Sequence, residues 1–218
     1  MITALSVNKK FDWNPPVTDK VADVLRAFGI TVQRLKSNAI THSCQLKLSG
    51  GDICYITGPS GSGKSVLLRE FYNTLQTEQK INIDDIPLPD DKACVDYIDT
   101  DFLGTLRTLS SAGLTDVFCV LNCPANLSDG QKYRYRIAKA LAGEAQFIFA
   151  DEFASSLDRV TAAVISYNLR KFATKTGKIF ILASSHDDLL ADLLPEVIVI
   201  KHLAGEAEVI YKTLSTKP

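Results

Sequence analysis

The sequence predicts an α/β protein with a mainly parallel sheet flanked by helices, an antiparallel β edge and a small helical subdomain. Three observations lead there. Short apolar runs that do not alternate, such as Ile53-Cys54-Tyr55-Ile56-Thr57 and Phe147-Ile148-Phe149-Ala150, have the pattern of strands buried on both faces. Segments of helical spacing lie between these runs, as crossover connections require. A glycine-rich turn joins one buried strand directly to a helix, the way an α/β unit begins.

Taken in order, Ile2 to Val7 reads as a short strand, and Pro15-Pro16 interrupts the chain before Asp19 to Phe28. There Val21, Val24, Leu25 and Phe28 recur at helical spacing. Residues 1–30 therefore read as a strand-helix attachment to a main domain over 31–218. From His42 a strand pattern runs through Leu46 and Leu48, turns at Ser49-Gly50-Gly51-Asp52 and enters the strand Ile53 to Thr57. A helix carries Val66, Leu67, Leu68 and Phe71, and Gln76 to Lys92 is polar and acidic around a short Ile81-Asn82-Ile83 run. Cys94 to Ile98 reads as the next strand. Helices at Leu103 to Leu109 and Asp129 to Leu141 define the helical subdomain, at about residues 102–142. A strand at Phe147 to Ala150, a helix at Arg159 to Phe172 and a strand at Ile179 to Ala183 follow. Strands near Val197 to Ile200 and Glu208 to Tyr211 close the pattern.

With 218 residues the chain has room for one substantial core, and 46% hydrophobic with 22% charged residues is ordinary globular composition. A net charge of −1 supplies no overall attraction for nucleic acid or anionic membrane. The five cysteines, Cys44, Cys54, Cys94, Cys119 and Cys123, are an odd number and read as reduced thiols of a cytoplasmic protein. Cys119 and Cys123 stand four apart without a second ligand pair at zinc-finger spacing. Met1 to Lys10 lacks the apolar segment of a signal peptide, and no apolar run reaches the roughly 20 residues that cross a bilayer. A membrane role is therefore expected only through a partner.

The chemistry lies in two motifs. Gly58-Pro59-Ser60-Gly61-Ser62-Gly63-Lys64-Ser65 satisfies G-x-x-x-x-G-K-[ST] after a strand and before a helix, the context of a P-loop. Its glycines let successive N–H groups turn inward around a phosphate, and the helix N-terminus adds partial positive charge. Lys64 would reach the β- and γ-phosphates, and the Ser65 hydroxyl would ligate Mg²⁺. Asp151 and Glu152 end an apolar strand, where carboxylates need a cationic partner. That arrangement suits a P-loop NTPase in which Asp151 joins the Mg²⁺ shell and Glu152 polarises the attacking water.

Between the two motifs lies Leu127-Ser128-Asp129-Gly130-Gln131, followed by Lys132-Tyr133-Arg134-Tyr135-Arg136-Ile137-Ala138-Lys139-Ala140-Leu141. Here the chain resembles the ATP-binding-cassette ATPases, whose signature is L-S-G-G-Q followed by a helix of the form Q-Q-R-V-A-I-A-R-A-L. Ser155-Ser156-Leu157-Asp158 resembles the family's D-loop, and His186, after a strand, its switch histidine. The resemblance covers roughly Ile40 to Tyr211. It implies that MgATP is held by Gly58 to Ser65 together with Ser128, Gly130, Gln131 and Asp158, and that Lys64, Glu152 and His186 serve hydrolysis. It further implies a head-to-tail, nucleotide-dependent homodimer, because Ser128 and the amides near Gly130 would donate to the γ-phosphate held by the other subunit.

The chain departs from the family at several points. Asp129 replaces the first signature glycine. The stretch between Ser65 and Leu127 is shorter than in a transporter cassette, and the glutamine expected after Cys94 to Ile98 is replaced by Asp99, Thr100 and Asp101. No aromatic for adenine stacking lies between Ile30 and Ile40, although Phe28 or Trp13 could substitute, with a core role favoured for Phe28. These departures favour a soluble ATPase driving a conformational cycle over a transporter subunit with a separate membrane partner. A nucleotide-sensing module and a small-molecule kinase are further alternatives. Lys132, Arg134, Arg136 and Lys139 leave nucleic acid open as a partner, though solvated charges on an ordinary helix are favoured.

Overall fold

The structure, a computed structural model, describes residues 2–11, 13–37, 40–203 and 206–212. Strand β1 (Ile2–Phe11) pairs antiparallel with β2 (Ile40–Ser49) along its whole length, from Ile2 opposite Ser49 to Phe11 opposite Ile40. Helices α1 (Asp19–Phe28) and α2 (Val32–Ser37) lie between them in sequence. The Thr18 hydroxyl accepts from the Val21 N–H at the start of α1, and Gly29, at φ +61°, ends the helix in the left-handed conformation. No residue of α1 is buried, and Phe28 is 74% exposed, so its helical spacing does not make it a core residue.

The main sheet begins with β3 (Ile53–Thr57), which passes through the glycine-rich loop into α3 (Lys64–Thr74). After β4 (Lys80–Asn82) come single 3-10 turns at Ile83–Asp85 and Cys94–Tyr97. Helices α4 (Phe102–Ser111), α5 (Val117–Val120) and α6 (Asp129–Ala142) make the helical region. Then follow β5 (Phe147–Ala150), α7 (Arg159–Thr176), β6 (Ile179–Ala183), the short α8 (Leu190–Leu193), β7 (Val197–Ile200) and β8 (Glu208–Tyr211). The strand order is β4-β5-β6-β3-β7-β8, parallel throughout except for the antiparallel edge β8.

Alternate residues of the central strands supply the two faces of the sheet, as the period of two requires. Ile53, Tyr55, Ile148, Ala150, Phe180 and Leu182 pack with Ile137, Leu141, Ile165 and Leu169 of α6 and α7. Cys54, Ile56, Phe147, Phe149, Ile179 and Ile181 face Leu67, Leu68 and Phe71 of α3 together with Leu5, Val7, Leu46 and Leu48 of the β1–β2 ribbon. The N-terminal strand thus shares the core of the main sheet, while α1 of the same segment buries nothing. Each fully buried side chain of this kind contributes about 1.5–3 kcal/mol.

One element differs from the sequence reading. Cys94 to Ile98 is a 3-10 turn, and the strand beside β5 is instead β4, from the short run around Ile81. Cys94 and Ile98 are both buried, but the Cys94 N–H donates to the Asn122 carbonyl and the Asp96 N–H to Ala93, bonds of a turn and not of a ladder. Apolar content drew both segments inward, and only β4 found a neighbouring strand.

Phe149, 1% exposed, lies edge-on to Tyr72 with ring centroids 5.1 Å apart. Phe149→Ala is expected to cost about 3–5 kcal/mol of stability, measured by denaturant unfolding.

Candidate functional site

Parallel pairing brings the C-terminal ends of β3, β5 and β6 to one edge of the sheet, and every residue that the sequence assigns to phosphate chemistry in this chain's own site follows one of those ends. The loop after β3 turns through left-handed or related conformations at Gly58 (φ +142°), Gly61 (φ +77°) and Gly63 (φ +95°). A Cβ on Gly58 would approach the Lys201 carbonyl oxygen to 2.1 Å, and one on Gly63 would approach His42 Cε1 to 2.1 Å, so side chains are excluded at both. At Gly61 nothing lies within 4 Å, which leaves the concave side open. Among the described residues the buried Ser62 Oγ has no hydrogen-bond partner and no side chain caps the start of α3, whose first N–H groups follow the loop. Open glycine, orphan donors and an unpaired hydroxyl fit a bound phosphate. Lys64 Nζ donates to the Gly58 carbonyl at 2.8 Å and to that of Pro59 at 3.1 Å, folding the ammonium across the mouth of the loop.

The acidic end of β5 is held in an uncommon backbone shape. Glu152 and Ala154 both have positive φ, +44° and +61°, although neither is glycine. The Glu152 N–H donates to Asp151 Oδ1 at 2.9 Å and the Phe153 N–H to the Ala183 carbonyl at 2.8 Å. Ser184 Oγ donates to the Phe153 carbonyl at 3.1 Å, and the Ala154 N–H donates to Tyr133 Oη at 3.0 Å. After β6, the His186 N–H donates to Ser184 Oγ, while Tyr55 in β3 donates its hydroxyl to the His186 carbonyl at 2.7 Å. Thr57 Oγ1 bonds Asp187 Oδ1 beside it.

These elements enclose a cavity of about 490 Å³, lined among others by Gly61, Lys64, Ser65, Asp151, Glu152 and His186. Ser65 and Asp151 also line an adjoining cleft of about 440 Å³ with Asn82, Asp84 and Asp85. Burial raises the Asp84 pKa, Arg136 opposes the rise, and the neighbouring Asp151 and Asp85 charges add to it. Because Asn82 is in register with Phe149, Asp84 emerges level with the end of β5, a position that the sequence reading gives instead to the residues after Cys94 to Ile98. No glutamine stands at this position either. The run around Ile81 is three residues of strand, too short for a period to mark it.

Ser128, Gly130, Gln131 and Asp158 do not line that cavity. Ser128 is exposed at the start of α6, and its N–H donates to Gln131 Oε1 at 2.9 Å, while Gln131 Nε2 lies 2.8 Å from Cys119 Sγ. Gln131 therefore braces the signature turn from within its own subdomain. Asp129 lies in the first helical turn, where its charge suits the helix dipole. Asp158 caps α7, accepting from the Thr161 N–H and hydroxyl, and these bonds hold its pKa below the usual carboxylate value. The basic residues of α6 form no open patch: Arg134 donates to the Gly130 and Gly113 carbonyls, Arg136 to Ile86, and Lys139 to Tyr97. Three of the four cations considered for nucleic acid instead tie α6 to its surroundings.

A glycine loop over a helix start, an acidic strand end and a histidine after the next strand, all around one cavity, accompany a fold of the P-loop NTPase kind. A family model described as an AAA domain matches residues 46–190, about two thirds of the chain, and the chain belongs to that family. Its similarity extends to ATP-binding cassettes. It is 24% identical to the methionine import ATP-binding protein MetN of Mannheimia succiniciproducens, over 83% of this chain and 61% of the relative. To the phosphonates import ATP-binding protein PhnC of Hyphomonas neptunium it is 29% identical, over 72% of this chain and 76% of the relative. The chain thus spans less than two thirds of that MetN. The dimeric bacterial ABC transporter cassette MJ0796 has the same fold, with a TM-score of 0.66 at 20% identity over 97% of this chain and 98% of that one. Among the described residues no helix is long and apolar enough to cross a membrane.

His42, buried against Gly63, has its pKa held below 6.5 by burial and then by the Lys201 charge. The unfolded chain takes up this proton as the pH falls through 6.5 and the folded chain resists it, so acidification favours unfolding. Denaturant unfolding is expected to show stability falling from pH 7 to pH 5 more steeply in the native chain than in His42→Asn, which has no such proton to bind.

Proposed function

We propose that the chain binds MgATP and hydrolyses it to ADP and phosphate between two copies arranged head to tail, driving a cycle of closure and opening. One observation carries this reading. The phosphate loop, Asp151, Glu152 and His186 surround a single cavity, whereas the signature residues Ser128 and Gly130 stand outside it and Ser128 is exposed. A signature that does not reach its own phosphates is suited to those of a second molecule. The dimeric cassettes of the same fold support the arrangement.

In this reading the loop amides and Lys64 bind the phosphates, and Ser65 and Asp151 would hold Mg²⁺, which when bound would supply positive charge to the phosphate oxygens. Glu152, exposed at the cavity wall, orients the attacking water and accepts its proton; His186, lining the same cavity, contacts the terminal phosphate. Closure depends on the γ-phosphate touching both subunits, and its loss removes the contact that favours the closed state. Asp84 would take the place of the family's glutamine and help hold Mg²⁺, supported by its position level with Asp151 and the cleft it shares with Ser65.

A second reading makes the chain the ATP-binding subunit of an importer, held to a membrane through a partner and otherwise cytoplasmic. Two observations favour it: the curated relatives are import ATP-binding proteins, and the helical region exposes Phe102, Leu103, Phe118 and Leu121.

Lys64→Ala is expected to abolish tight ATP binding, read by a fluorescent ATP analogue. Glu152→Gln should retain ATP and trap a dimer on size-exclusion chromatography; a protein that stays monomeric with ATP at high concentration rules out the two-copy site. Asp84→Ala is expected to raise the Mg²⁺ concentration needed for half-maximal hydrolysis by about tenfold.

A further inference from the structure

Tyr133 belongs to the signature helix, yet its side chain does not face the signature. It is buried, its ring lies 6.5 Å from that of Phe153, and its hydroxyl oxygen accepts the Ala154 N–H at 3.0 Å. Those two residues follow Glu152 directly. The turn they form contains two left-handed residues, Glu152 and Ala154, in a region that costs non-glycine residues about 1–2 kcal/mol each. Such a conformation persists only where its surroundings hold it. Three anchors do so from outside the turn: the Ala183 carbonyl and Ser184 Oγ, both on Phe153, and Tyr133 Oη on Ala154. The first two come from the end of β6. Only Tyr133 comes from the helical region, 19 residues before Glu152 in sequence, where Gly130 of the same helix also packs against the Ser156 carbonyl, 3.3 Å from where a Cβ would lie.

We infer that Tyr133 is a positioning residue for hydrolysis: its hydroxyl fixes the left-handed turn at Ala154 and thereby aims Glu152 into the cavity. The inference rests on the proposed role of Glu152. It also gives the helix that carries Ser128 a direct hold on the catalytic carboxylate of its own chain. A shift of α6 on engaging a second molecule's nucleotide would be felt at Glu152 through one hydrogen bond.

The test is steady-state hydrolysis of MgATP by the full chain and three variants, Tyr133→Phe, Glu152→Gln and the double variant, alongside thermal melting. Tyr133→Phe leaves a buried N–H without its acceptor and is expected to lower kcat about tenfold with KM unchanged. The double variant is expected to be no slower than Glu152→Gln alone, since the tyrosine acts only through the carboxylate. A purely structural role would lower the melting temperature without this non-additivity. Ala154→Gly, which accepts φ +61° without strain, is expected to restore most of the rate lost in Tyr133→Phe, including where that variant melts early. Unchanged kcat in Tyr133→Phe, losses that multiply on the small residual rate of Glu152→Gln in the double variant, or no recovery with glycine would each overturn the inference while Glu152→Gln remained strongly impaired. Full activity in Glu152→Gln would instead remove the catalytic reading of Glu152, and the inference with it.

Discussion

The parallel ladder that holds β3 between β6 and β7 is the constraint on which the site depends. Cys54 opposite Ile181 on one side and Tyr55 opposite Ile198 on the other set where each strand ends. The phosphate loop, the acidic pair and the histidine loop are thereby delivered to the same edge. A slip of one residue would exchange the two faces of β3, both fully buried, and bring Tyr55 into the space of Cys54. The register is therefore enforced by packing on both sides of the sheet, and the geometry of the edge that carries the candidate site follows from the core.

Around that edge, buried polar atoms hold loops that the backbone would not adopt alone. Ser184 is 1% exposed and bridges the acidic turn and the histidine loop, donating to Phe153 and accepting from His186. Tyr55 and Thr57, both buried in β3, bind the residues at 186 and 187. Such groups are costly to bury unless paired, and here each pair fixes a loop of the site. Rigidity of the phosphate side contrasts with exposure of the signature, whose Ser128 and Asp129 meet solvent. The two halves of the proposed reaction centre are prepared differently: one is shaped within the chain, and the other is offered outward.

The helical region follows a different economy. Among its charged residues, Arg134, Arg136 and Lys139 use donors on carbonyls of neighbouring segments. The charge pattern was plain in the sequence, but charge alone does not distinguish a cation facing solvent from one ending on a backbone carbonyl.

The local sequence alone determined the strand-loop-helix unit around Gly58 to Ser65, the acidic end of β5 and the start of α6, since each depends on residues close in the chain and on rigid backbone requirements. Most strands were legible for the same reason: fully buried β3, β5 and β6 are continuous apolar runs. Tertiary structure alone decided the partners. Cys94 to Ile98 and the Ile81 run have similar local character, and the sheet took the second because it reaches β5, while the first closes onto Asn122. Asp84 and Tyr133 gained their places by contacts with residues far along the chain, Asp151 and Ala154, for which a single sequence has no periodicity to record. Local propensity specifies what a segment is able to form; which neighbour completes its hydrogen bonds is settled only when the chain has packed.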